Sequence, residues 1–351
     1  MISVRIVFLL EGTEICGGVK VVLEHANGLM RLGHHVTVLS KGRAPVWFPL
    51  RAAFQQVSAF TADVIPLADY IIGTYCTTVL PAVQAKRGLP VHFCQGYEGD
   101  LYPEGEKYEG DLYPEGEKVV KLIEAVYRLP ALKVTIRPHL KALIEARFGQ
   151  PCHDVGSGID LACFFPGERR ESRKPYRVLV VGPWELPVKG IPDALDGLRQ
   201  LRQRRSDIWV VRASQLPRSE AERAIGVVNE YRCDVPPNDM PALYRECDLY
   251  LSASTEAEGF GLPAMEAMAC GVPCVLTAIP SYLSFGRERN YALFVPPRDP
   301  GAVAEAVDRV LSDPKLWGQL RTAGLEVAAQ HPIEAAVERL ERVLLGHFVR
   351  P

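Results

Sequence analysis

Glu258-Gly259-Phe260-Gly261-Leu262-Pro263-Ala264-Met265-Glu266 places two carboxylates either side of seven residues, and those seven contain a Gly-x-Gly-x-Pro turn. Upstream, Asp248 to Ser252 (DLYLS) reads as a buried strand, and Ser254 to Ala257 as a polar turn. Downstream, Ala264 to Cys270 has a helical composition and Gly271 is a natural stop. The stretch is therefore strand, glycine turn, helix entry. A helix entry carries unpaired backbone N–H groups and a partial positive charge. Gly259 and Gly261 lack a Cβ, so a ligand can approach the backbone, and Pro263 suits the first turn, where no N–H is needed. The backbone of Phe260, Gly261 and Leu262 thus forms a cradle for an anion, most naturally a phosphate. Glu258 and Glu266 would repel a phosphate, but they can accept hydrogen bonds from hydroxyl groups. A ligand with phosphate in its middle and hydroxyls at both ends fits, and a nucleotide sugar is such a molecule. The plainer account is a generic glycine turn of an α/β half-domain with surface glutamates; the paired acids argue against it.

The 351 residues suggest two domains of ordinary size, and at 48% hydrophobic both can bury a core without disulfides or metals. A net charge of -2 argues against a nucleic-acid partner. No apolar run is long enough to span a bilayer. The apolar run Val4–Leu10 ends at Glu11 with no small-residue cleavage site, so it reads as a first strand rather than a secretion signal. Nine scattered cysteines with no C-x-x-C pair read as reduced core thiols of a cytoplasmic protein, and Cys270 and Cys274 lack the histidine partners of a zinc site. No metal and no cofactor is expected.

Strand and helix patterns alternate in both halves, which predicts parallel sheets covered by helices. Strands are expected at Val4–Leu10, Val36–Ser40, Tyr70–Gly73, Val91–Gln95 and Lys133–Ile136, then at Val178–Val181, Ile208–Val211, Leu249–Ser252 and Cys274–Thr277. The charged stretch Gly167–Arg177 marks the boundary between domains at 1–166 and 167–330, with a final helix in 331–351. Tyr97–Lys107 (YEGDLYPEGEK) recurs unchanged as Tyr108–Lys118. Two copies are too few for a solenoid, and the glycine, proline and acids make the segment a loop lengthened by local duplication.

The stretch 258–266, with Ala267-Met268-Ala269-Cys270-Gly271-Val272-Pro273-Cys274-Val275 after it and Leu243–Ser252 before it, resembles the E-x7-E region of the family-4 retaining glycosyltransferases. About thirty residues carry the resemblance. It implies an α/β fold of two facing Rossmann-like domains, the GT-B arrangement, with the C-terminal helix returning to the N-terminal domain. The implied reaction is transfer of a sugar from a nucleoside diphosphate sugar to an acceptor hydroxyl, with retention and without a metal, in polysaccharide biosynthesis. A glycan, a lipid-linked acceptor or a small molecule would accept the sugar. Glu266 would hold the ribose and Glu258 the sugar near the reacting carbon.

Other segments extend the resemblance. Cys16-Gly17-Gly18-Val19 matches the family's glycine loop after the first strand, although it is not the G-x-G-x-x-G of dinucleotide binders. Gly182-Pro183-Trp184-Glu185-Leu186-Pro187-Val188-Lys189 matches the segment in which an arginine and a lysine grip the diphosphate. Lys189 matches the lysine, but Pro183 stands where the arginine would be, and Arg212 at the end of the next strand is a candidate replacement. Gln95 lies near a position where the family has a histidine facing the sugar, and Gln95-x-Tyr97-Glu98 with Tyr102-Pro103 is similar to a rhamnosyltransferase-type branch, with a deoxysugar donor. Gln95, Tyr97 and Glu98 are thus candidate sugar or acceptor contacts, while His92 is read as structural. Gly158-Ile159-Asp160 and Phe164-Phe165-Pro166 resemble the family's segment before the linker, with a packing and hinge role. Lys118, Lys121 and Arg128 on an apolar-striped helix suggest peripheral contact with the inner face of a membrane, although core packing explains the stripe equally well. Two rivals remain open: an epimerase of the same architecture, which needs no acceptor, and a non-catalytic nucleotide-sugar binder.

Overall fold

The computed structural model describes residues 2–101, 116–167 and 174–348. The chain divides into two compact units, Met1–Gly158 with Ile333–Pro351, and Ile159–Pro332. The expected boundary at 166/167 falls inside the second unit.

The first unit holds a seven-stranded parallel sheet ordered β3-β2-β1-β4-β5-β6-β7. Its strands are β1 (Arg5–Leu10), β2 (His35–Ser40), β3 (Ala53–Gln56), β4 (Tyr70–Gly73), β5 (Leu89–Cys94), β6 (Leu132–Thr135) and β7 (Cys152–Asp154). The second unit holds a six-stranded parallel sheet ordered β10-β9-β8-β11-β12-β13. There β8 is Tyr176–Val181, β9 Ile208–Ser214, β10 Glu230–Cys233, β11 Leu249–Ser252, β12 Cys274–Thr277 and β13 Leu293–Val295. Central strands such as β4 and β11 are buried at every residue, as expected where helices cover both faces. The expected strands are all present. β3, β7, β10 and β13 are not among the expected strands: all four are sheet edges with mostly exposed or half-exposed residues, so no apolar pattern announces them.

The helix Leu262–Ala269 forms where the sequence places it, and the helices Gly17–Arg31 and Pro314–Ala329 flank the sheets of the first and second unit. In the second unit Val178, Val180, Leu195, Leu198, Val210, Leu251, Val275 and Val307 share one core that joins sheet and helices. The C-terminal helix Ile333–Gly346 packs on Gly17–Arg31, where Val337 lies so close to Gly28 that a Cβ there would stand 2.6 Å from Val337 Cγ2. Polar ties add to that contact: His34 Nε2 meets Glu341 Oε1 at 3.0 Å, and Arg339 Nε donates to the Val155 carbonyl at 2.7 Å. Tyr70, on β4, donates its hydroxyl to the carbonyl of Leu344. The return of this helix to the N-terminal domain thus has a specific physical basis.

All nine cysteines are free thiols. No helix among the described residues is long and apolar enough to cross a membrane. The duplicated segment lies largely outside the described residues.

Candidate functional site

In both sheets the chain starts in the middle and winds outward in both directions, so the strand order reverses once. In the second unit the reversal lies between β8 and β11. Crevices at the carboxyl ends of strands flanking such a reversal are where open α/β sheets bind ligands. The loop after β8 carries Gly182 and Lys189, and the loop after β11 carries Glu258 and Gly261. The two stretches singled out in the sequence therefore occupy one crevice, and topology alone brings them there.

The loops are fastened to each other. Thr255 N donates to the Val188 carbonyl at 2.9 Å. Gly190, at φ 57°, lies so close to the Ala253 carbonyl that a Cβ would come within 1.9 Å of its oxygen. With the backbones set, Lys189 Nζ reaches both carboxylate oxygens of Glu258, 3.1 Å to Oε1 and 2.8 Å to Oε2. Glu258 is buried and Lys189 partly so, at 22% side-chain exposure. The cation expected to bind phosphate and the acid expected to bind sugar are a hydrogen-bonded pair.

Gly261 caps the helix Leu262–Ala269 in the left-handed region at φ 83°, with Pro263 in the first turn, as the sequence suggested. Phe260 is buried, its ring against Phe285 and His331, so it supports the turn from beneath while its backbone leads into the helix. Leu262 is buried as well. Glu266, one turn further, is buried and accepts from the Tyr244 hydroxyl at 2.9 Å. Burial and the neighbouring Glu266 push the Tyr244 phenol well above its ordinary value, so it stays a donor. Tyr244 in turn packs edge-on against Phe164. That contact gives the Phe164-Phe165-Pro166 segment a packing role within the second unit.

Arg212 is corrected. Its side chain is fully buried, ion-paired with Glu222 at 2.7 Å. It also donates to the carbonyls of Val180 and Gly182, each at 2.7 Å. A guanidinium committed in this way does not replace the arginine absent at Pro183; it braces the β8 turn from below. Gly182, at φ 127°, takes its conformation from this brace and from its own N–H donating to the Ala213 carbonyl at 2.9 Å. The Lys189 stem lies over it, 3.1 Å from where a Cβ would be.

In the first unit, Gln95 follows β5 and its Nε2 donates to the Gly18 carbonyl at 3.1 Å. Gly17 and Gly18 open the first helix behind the N-cap Cys16, whose Sγ accepts from Val19 N. The structure thus brings Gln95 and the glycine loop together. Tyr97 and Glu98, the other candidate contacts of this segment, are both buried. Tyr97 is 4% exposed, packed against Tyr127 and Phe148 under the Arg147 guanidinium. Glu98 is 7% exposed and accepts from the Tyr127 hydroxyl. Burial, partly offset by that hydrogen bond, raises the Glu98 carboxyl to about 7. His92 is fully buried against Tyr127, in keeping with its structural reading, and burial with Lys133 nearby lowers it to about 3.

Comparison with known proteins now gives these residues a context. The chain is 29% identical over 242 residues to D-inositol 3-phosphate glycosyltransferase 1 of Catenulispora acidiphila, a match covering 62% of this chain and 57% of the relative. It is 31% identical over 195 residues to D-inositol 3-phosphate glycosyltransferase of Salinispora arenicola, covering 47% and 43%. The chain thus spans about half the length of the curated relatives it matches. Among solved structures, the Anabaena protein Alr3699/HepE in complex with UDP-glucose superposes with a TM-score of 0.76 at 15% identity, covering 98% of this chain and 100% of that one. WaaG, a glycosyltransferase involved in lipopolysaccharide biosynthesis, gives 0.76 at 16%, covering 97% and 100%. At such identities the likeness shows the fold, two parallel-sheet Rossmann-like domains of GT-B type. The family model described as "Glycosyl transferases group 1" matches residues 175–313, the stretch that holds Lys189, Glu258 and Glu266, and on that match the chain carries a domain of the group 1 glycosyl transferases.

Proposed function

We propose that this protein transfers a sugar from a nucleoside diphosphate sugar to an acceptor hydroxyl, with retention at the anomeric carbon. The observation that carries the reading is the Lys189–Glu258 pair beside the Gly261 helix entry, at the strand-order reversal of the second unit. Breaking the glycosidic bond moves negative charge onto the diphosphate. Lys189 and the helix-entry amides of Phe260, Gly261 and Leu262 are the groups that answer it. A hydrogen bond to a charged group is worth about 1.5–3 kcal/mol. Three that strengthen as charge develops supply several kcal/mol, roughly a thousandfold or more in rate. Glu266, steadied by Tyr244, accepts from the ribose hydroxyls, and Glu258 accepts from the sugar. This set of groups stabilises the leaving diphosphate without calling on a metal.

In the first unit Gln95 and the Gly17–Gly18 loop remain proposed contacts for donor or acceptor. The names of the relatives, D-inositol 3-phosphate glycosyltransferases, favour a polyol or glycan acceptor over water. Lipid-linked acceptors and peripheral contact with a membrane, through the helix that bears Lys121 and the exposed Leu122, belong to the same reading. The relatives described above carry transferase names rather than epimerase names, and a paired acid and lysine suit departure of a diphosphate.

A panel of UDP-, GDP-, ADP- and dTDP-sugars tests the reading by thermal stabilisation, since a ligand that binds only the folded state raises the melting temperature. One class of nucleotide sugar should stabilise the protein, and Lys189→Ala should lower its turnover by about ten- to a hundredfold, the worth of one charged hydrogen bond. A K189A enzyme as fast as wild type would remove Lys189 from the reaction.

A further inference from the structure

Three hydroxyls, of Ser252, Ser254 and Tyr282, lie buried beneath Glu258. Ser252 Oγ is 3.0 Å from Ser254 Oγ and 2.7 Å from the Tyr282 hydroxyl, and the Tyr282 hydroxyl is 3.1 Å from Ser254 Oγ. Ser254 Oγ lies 3.0 Å from Glu258 Oε2. A carboxylate only accepts, so the Ser254 proton must go to Glu258. Tyr282 donates to Ser254 Oγ, whose own proton is then aimed at Glu258, and Ser252 Oγ completes the triangle with both. The Tyr282 phenol is pushed far up by burial and by Glu258, so it remains a donor.

The geometry points to a positioning device: the Tyr282–Ser252–Ser254 triad fixes the Glu258 carboxylate in one orientation, Oε2 inward and Oε1 toward the donor sugar. Oε2 receives the two shorter bonds, from Ser254 and from Lys189, which together use its two acceptor directions. Oε1 receives only the longer Lys189 bond and keeps room for a sugar hydroxyl. Tyr282 also underlies the phosphate cradle. Its Cε1 lies 2.2 Å from where a Gly261 Cβ would stand, so the same ring sets the helix entry. Thr277 Oγ1 donates to the Ser254 carbonyl and Tyr291 donates to the Tyr282 carbonyl, which hold the triad's backbone in place. The triad's hydroxyls thus act through Glu258 on the sugar, and only the Tyr282 ring, which Tyr282→Phe retains, bears on the phosphate cradle. The triad distinguishes nucleotide sugar from free nucleoside diphosphate.

This inference rests on the transferase reading for its ligand, so its test has a ligand-free arm. Crystal structures of Ser254→Ala and Tyr282→Phe should show the Glu258 carboxylate turned away from its wild-type position. A carboxylate unmoved in both variants overturns the proposal whatever the donor is. In the second arm, calorimetry compares the nucleotide sugar that stabilises the wild type with its matching nucleoside diphosphate. S254A should weaken the nucleotide sugar about tenfold or more, the scale of one hydrogen bond to a charged group, and leave the diphosphate within about twofold. Tyr282→Phe should give a smaller loss of the same kind, and Ser254→Thr should restore the discrimination. Equal losses for both ligands, or no loss, would show the triad to be packing only. Should no member of the panel bind the wild type, the transferase reading fails, and the crystallographic arm alone decides the positioning role.

Discussion

Glu258 and Lys189 neutralise each other before any ligand arrives. A diphosphate that takes Lys189 must therefore share it with Glu258. Replacing Glu258 by Gln removes the competing charge and should tighten binding of free nucleoside diphosphate a few-fold while it slows transfer, because the sugar loses its charged acceptor. Isothermal titration with the diphosphate, beside a turnover assay, checks both signs. Glu98 makes a different prediction. Its folded carboxyl holds a proton up to about pH 7, against 4.5 for the ordinary group. The folded state thus binds more protons than the unfolded one between those values. Stability is complete below pH 4.5, falls as pH rises, and is lowest above 7. Glu98→Gln cannot ionise, so it should match wild type in acid and exceed it at pH 8.5, by a few kcal/mol at about 1.4 kcal/mol per pKa unit. Urea midpoints at the two pH values measure the difference. In sequence, Glu98 and Arg212 looked like site residues because charge is a surface signal. Neither could be seen to be buried, since their partners Tyr127 and Glu222 lie 29 and 10 residues away.

At the scale of elements, the glycine turn and the helix it opens act as one part. Gly261→Ala must hold a Cβ at φ 83° and displace the Tyr282 ring. A left-handed conformation costs a residue with a Cβ about 1–2 kcal/mol. The larger consequence is a shifted ring, and with it a shifted Glu258. Donor affinity should fall by more than tenfold while the far-ultraviolet circular dichroism spectrum stays that of wild type; an affinity unchanged by the substitution would separate Tyr282 from the turn. The element itself was plain in the sequence. Its strand is wholly apolar but for Ser252, its turn has two glycines, and its proline falls where a helix accepts one. Short edge strands were hidden for the converse reason. Glu230–Cys233 is half exposed and charged, and pairing with β9 alone makes it a strand. The triad was hidden too: Ser252 reads as the end of a strand and Ser254 as a turn residue, and nothing in the sequence ties Tyr282 to them across 30 and 28 positions.

For the molecule as a whole, the C-terminal helix matters more to the first unit than its distance along the chain suggests. Ile333, Val337, Leu340 and Leu344 are buried there at 3% exposure or less. At about 1.5–3 kcal/mol for each such side chain, their burial is on the order of the stability of an entire domain. A chain ending at Pro332 should therefore lose the first unit's cooperative unfolding, while the second unit, which holds Lys189, Glu258 and Glu266 and has its own core, keeps its own; differential scanning calorimetry would show one transition where the full chain shows more. The sequence by itself determined the alternation of strand and helix, the glycine turn with its flanking acids, and so the class of fold. These are local signals of periodicity, propensity and spacing, legible within a few turns of chain. Only the tertiary structure decided that Lys189 is paired with Glu258, that Arg212 braces a turn instead of meeting a ligand, that Tyr97 and Glu98 face inward, and that three hydroxyls orient one carboxylate. Burial and hydrogen-bond partnership are set by which strands become neighbours across a sheet, and that is a property of the packed chain rather than of any segment of it.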